Sequence, residues 1–131
     1  MNLNLPSTNQ DEAVGGRWIE YPDAKGVRFK VAMSNNIKHK RAIQHKLKSI
    51  EKLRDKGDYA RVEILNAEII AKHILKDWEG VFDEGKPWPF TEANALLLLR
   101  SEDYSTIKDF IVDESLESSE YETEASDIAK K

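Results

Sequence analysis

Residues 58–80 read DYARVEILNAEIIAKHILKDWEG, and the period of their apolar side chains decides the fold class. At 100° per residue, Ile64, Ala67, Ala71, Ile74, Leu75 and Trp78 fall on one broad face. Val62, Leu65 and Ile69 form a second stripe nearly opposite. Asp58 can cap the start and Gly80 can close the end. The spacing predicts a helix over about 58–78. Two apolar stripes call for two neighbours. One is the preceding helix; the other is a candidate for a different chain, so Val62, Leu65 and Ile69 become candidate partner-binding residues.

Upstream, Ile43, Leu47, Ile50 and Leu53 set a helical stripe over about 36–56, with Ser34-Asn35-Asn36 before it as capping residues and Gly57 after it as a stop. Further back the period changes to two. Val27, Phe29, Val31 and Met33 alternate with Arg28 and Lys30, which is a half-buried strand. PDAKG, residues 22–26, is turn chemistry, so 17–33 reads as a hairpin. An isolated hairpin is marginal in water and has to lie on something. Residues 1–16 are polar, end in Gly15-Gly16, and read as a flexible lead-in.

Downstream, residues 78–91 read WEGVFDEGKPWPFT, an irregular turn dense in aromatics. Prolines on both sides restrict Trp88 to extended backbone. Trp78, Phe82, Pro87, Trp88, Pro89 and Phe90 are expected to form a structural clasp, with Trp88 doubling as a candidate contact for a partner. Thr91 can cap a short helix over 91–100, and Tyr104, Ile107, Phe110 and Ile111 give an apolar side to another over 103–113. The stretch 114–131 is acidic and poor in apolar residues, and reads as a disordered tail. The whole is a single domain, mainly α with an N-terminal β-hairpin, an α+β arrangement of about four helices.

Charge is unevenly spread. Residues 38–61 carry nine Lys/Arg against three Asp/Glu, and residues 101–131 carry three against ten, within a net charge of −4. The basic face comprises Lys38, Lys40, Arg41, Lys46, Lys48 and Lys52. Such a run supplies nonspecific phosphate affinity, but it is also the ordinary composition of a solvated helix face. With no aromatic inside it for base stacking, the solvated face is the better reading and nucleic acid an unfavoured partner. Opposed charge along one chain also suits weak self-association.

Chemical motifs are missing. The chain has no cysteine, so neither a thiol nucleophile nor a thiolate metal site is available. GxSxG, HExxH, a P-loop and a dinucleotide fingerprint do not occur. His39 and His45 are six apart, which is not a facing helical spacing. The expectation is a protein without catalytic, cofactor or metal residues. No apolar run approaches the ~20 residues of a membrane span, and no signal peptide is visible.

The order of parts resembles a known family. A hairpin carrying GRWIEYPDAKGVRFKVAMS precedes a Lys/Arg-rich helix. Then come AEIIAKHILKDWEGVFDEGKPWPFTEANALLLL and a final helix. This is similar to the small tail assembly chaperones of long-tailed bacteriophages, over roughly residues 15–115. The matching positions are Trp78, Gly80, Asp83, Gly85, Pro87, Pro89, Phe90, Thr91, Asn94 and Leu96 to Leu99. The resemblance implies a non-enzymatic helper in the host bacterial cytoplasm. Its partners would be the tape measure protein and the tail tube protein. The alternatives are a connector retained in the virion and a nucleic-acid-binding regulator using residues 38–56.

Overall fold

A computed structural model describes residues 3–117 and 121–123. Strand β1 (Ser7–Thr8) leads into helix α1 (Gln10–Gly15). Strands β2 (Arg17–Glu20) and β3 (Arg28–Val31) form the expected hairpin, closed by the Tyr21 N–H donating to Val27 O at 2.9 Å. Helices α2 (Lys40–Asp55) and α3 (Tyr59–Ile69) follow, with Asp58 capping α3 through the Arg61 N–H. A π-helical turn, Ile70–Ile74, delivers the chain to β4 (Leu75–Glu79). Strands β5 (Phe82–Asp83) and β6 (Lys86–Pro87) make a small hairpin. Helix α4 (Glu92–Arg100) is capped by Thr91, a 3₁₀ turn spans Glu102–Tyr104, helix α5 covers Ser105–Leu116, and β7 is Glu122–Thr123.

The largest departure from the sequence reading lies in 58–80. The helix stops at Ile69, and residues 75–79 become the third strand of an antiparallel sheet ordered β2-β3-β4. Leu75 and Trp78 are three apart, a helical spacing. In a regular strand they would point to opposite faces. The pairing Val31↔Leu75, Lys30↔Asp77, Phe29↔Trp78 and Arg28↔Glu79 skips Lys76, a β-bulge. The extra residue turns Leu75 and Trp78 inward together, so both are buried. The π turn performs the equivalent adjustment on the helical side, winding one extra residue into its loop before the strand begins. β4 thus gives the hairpin the support it requires.

Helix α3 packs between α2 and α4. Its second neighbour therefore comes from the same chain: Val62 and Ile69 are buried core residues and Leu65 packs partly buried against them. That stripe is not an open groove. The core joins Phe29 and Val31 of the sheet to Ile43, Ile50, Ala67, Ile74, Ala95, Leu99 and Ile111.

The two ends of the described chain also depart from expectation. The lead-in forms α1 and β1, and Ala13 is fully buried. At the other end α5 continues to Leu116, and Tyr121 is fully buried with its hydroxyl donating to Val31 O at 2.8 Å. Tyr121, Ala13 and Met33 make a small second core. β1 pairs with β7, so the two ends hold each other. Residues 118–120 and 124–131 of the acidic stretch lie outside the described residues. Helix α2 begins at Lys40 rather than 36. Buried Asn36 builds a turn ahead of it, accepting from the His39 N–H at 2.9 Å and donating to Met33 O at 2.6 Å.

Candidate functional site

The aromatic turn joins β4 to α4. The Trp78 and Trp88 rings stack at 5.1 Å between centroids, 18° apart, and Phe90 meets Trp78 edge-on at 5.0 Å. Trp78 Nε1–H donates to Trp88 O at 2.8 Å, so the buried indole leaves no donor unsatisfied. The Trp88 N–H donates to Val81 O at 2.9 Å. Glu84 and Gly85 both take positive φ, 49° and 79°, the two-residue turn that best matches strand twist. Trp88 and Phe90 are half-buried, whereas Pro87, Pro89 and Phe82 are exposed. Within the proposed clasp, the tie is therefore Trp78–Trp88–Phe90, and Phe82 lies outside it. Gly80, at φ 77°, passes so close to Gly26 that a Cβ would run into the Gly26 carbonyl.

Beside this joint lies an open apolar cleft of about 450 Å³. Tyr21, Val27 and Phe29 of the hairpin form one side; Trp88, Leu98 and Ile107 contribute to the others. Its edge carries Phe82, Leu97 and Tyr104, exposed by 62%, 64% and 48%. Three large apolar side chains held in water around an apolar hollow are the usual mark of a contact surface. Of the sequence candidates for partner contact, Trp88 lines this cleft, while Val62 and Leu65 do not.

A second cleft, about 520 Å³, opens between α2 and α5. Ile43, Leu47, Ile69, Ile70, Ile74 and Val112 line it with Lys40 and Lys108. Ile69, the third member of the stripe read from sequence, thus contributes to a cleft wall although it is almost wholly covered. On the basic face, Lys40, Arg41, Lys48 and Lys52 are exposed on α2, Lys38 is exposed just before it, and Lys46 pairs with Glu68 at 3.2 Å.

The structure also unites two histidines that sequence spacing kept apart. His39, the residue before α2, and His73, on the π turn, place their Nδ1 atoms 3.2 Å apart, with ring centroids at 5.0 Å. His73 is only 8% exposed. Burial first, then Lys76 and Lys38, hold the His39 imidazole below its ordinary pKa. Burial first, then His39, Lys46, Lys76 and Lys72, do the same to His73. Lys76 is itself lowered by burial and by Lys38. Among the described residues, no group of three or more His, Cys, Asp or Glu is placed to hold a metal ion.

Comparison with known proteins gives these clefts a setting. No curated protein and no solved structure matches the chain. Among the described residues, no helix is long and apolar enough to cross a membrane. A family model described as YdaY prophage protein matches residues 24–131, from the hairpin turn onward. That span takes in the second cleft, the aromatic joint and all of the first cleft's lining but Tyr21, and the chain belongs to the YdaY prophage protein family.

Proposed function

We propose that this prophage protein is a non-enzymatic tail assembly chaperone. It holds helical segments of the tape measure protein and helps bring tail tube subunits to it in the host bacterial cytoplasm. The observation that carries the reading is the apolar cleft edged by exposed Phe82, Leu97 and Tyr104. An amphipathic helix laying its apolar face there removes three costly exposed side chains from water. The partly exposed Trp88 adds a large, pre-ordered surface at small entropic cost. Membership of a prophage family and the resemblance of the WEGVFDEGKPWPFT region to tail chaperones support the same assignment. Repeated weak contacts along a long partner suit a protein that self-associates weakly.

Two measurements test this. Co-expression with the tape measure protein of the same prophage should keep that protein soluble and co-purify the two. Mass spectrometry of finished particles should find the chain missing. A chain present in the particles at a fixed copy number would make it a connector or tail completion component instead.

A further inference from the structure

We propose that the His39–His73 contact is an acid-released latch: a second proton on the pair frees the start of α2 from the π-helical turn and loosens the α2–α5 cleft. The geometry supplies the reason. At 3.2 Å, one Nδ1 donates and the other accepts. A neutral pair satisfies this, and so does a pair sharing one extra proton. With both rings protonated, two N–H donors and two positive charges face each other at hydrogen-bond distance. No rotation of the hydrogens relieves that.

The surroundings sharpen the conflict. Lys38 from the preceding turn, Lys46 of α2, Lys72 of the π turn and Lys76 of β4 all act on the pair with positive charge. Lys46 is itself paired with Glu68 of α3 at 3.2 Å, and no carboxylate is among the groups that shift either imidazole. Both imidazoles are accordingly held below their ordinary pKa, chiefly by burial. The sign follows. The unfolded chain binds protons more readily than the folded one. The stabilising contribution is therefore complete above the ordinary histidine value and is lost as pH falls below it, through the lowered folded value.

The contact is also placed to matter. Asn35 and Lys40, on either side of His39, line the cleft. So do Ile70 and Ile74, flanking His73. The latch thus ties two walls of one cleft, and its release changes that cleft without touching the aromatic joint.

The test uses the full chain, with histidine side-chain NMR titration and amide exchange, from about pH 7.5 to about pH 5.5. Corrected for intrinsic rates, opening at residues 40–43 and 70–74 should increase by about tenfold or more. His39→Gln removes one of the two titrating rings and should cut that acid response to the smaller part that burial of His73 alone produces. Lys76→Gln, outside the contact itself, should raise the titration midpoints of both His39 and His73. Amide protection that ignores acid in the parent, or an acid response undiminished in His39→Gln, overturns the proposal. Should His39→Gln not fold, midpoints unmoved by Lys76→Gln overturn it alone.

Discussion

Trp78 and His73 lie five residues apart, and each fastens the middle of the chain, Trp78 to the turn just downstream and His73 to a segment 34 residues upstream. They do so by opposite means. Trp78 stacks on Trp88, meets Phe90 edge-on and satisfies its one polar atom. Nothing in that joint titrates. His73 meets His39 through nitrogen atoms within a field of lysines, and the contact holds only while fewer than two protons reside there. The first joint is unconditional and the second conditional, although both are well buried at Trp78 and His73. Burial alone does not tell a permanent fastening from a releasable one; the chemistry of what is buried does.

The contrast can be broken most forcefully at Trp78. Trp78→Ala removes a side chain only 5% exposed and should cost ~3–5 kcal/mol in chemical denaturation. A smaller loss would mean that Trp88 and Phe90 collapse onto the gap. Gly80→Ala strains a positive φ and meets the Gly26 carbonyl, so the same experiment should give a loss of ~1–3 kcal/mol. Trp78→Phe keeps an aromatic ring but leaves Trp88 O without its donor, and should cost ~1 kcal/mol beyond the lost area. The smallest effect is also the most discriminating. Parent stability should fall between about pH 7.5 and about pH 5.5, while the Trp78→Ala penalty stays constant across that range. A penalty that itself varied with pH would couple the two joints and remove the distinction.

The same contrast explains what the sequence made legible. Period-two alternation exposed the hairpin, because Phe29 and Val31 are buried while Arg28 pairs with Glu79 and lies 4.7 Å from the Trp18 ring. Asp58 and Thr91 announced their helices, since capping is local chemistry. The aromatic cluster around Trp88 was visible from its density alone. Strand β4 was hidden, because a bulge at Lys76 lets a strand imitate the helical spacing of Leu75 and Trp78. The stripe of Val62 and Ile69 was found, but periodicity does not say whose surface covers it; both are buried within this chain's own core. Tyr121 gave no signal as a lone aromatic among acids, yet it fills the second core. His39 and His73 are 34 positions apart, and only the return of the chain through α3 brings them together. Non-local polar pairs of this kind carry no periodic trace.

The functional account rests on the cleft beside the aromatic joint, and a binding titration tests it most directly. Purified parent and Leu97→Glu are titrated with a helical segment of the tape measure protein from the same prophage. Leu97 is 64% exposed, so the substitution leaves the fold intact while placing a charge at the cleft edge. The account predicts saturable binding by the parent and an affinity at least ~10-fold weaker for Leu97→Glu, about 1.4 kcal/mol, with melting unchanged. Equal binding by both proteins, or none by the parent, would contradict it.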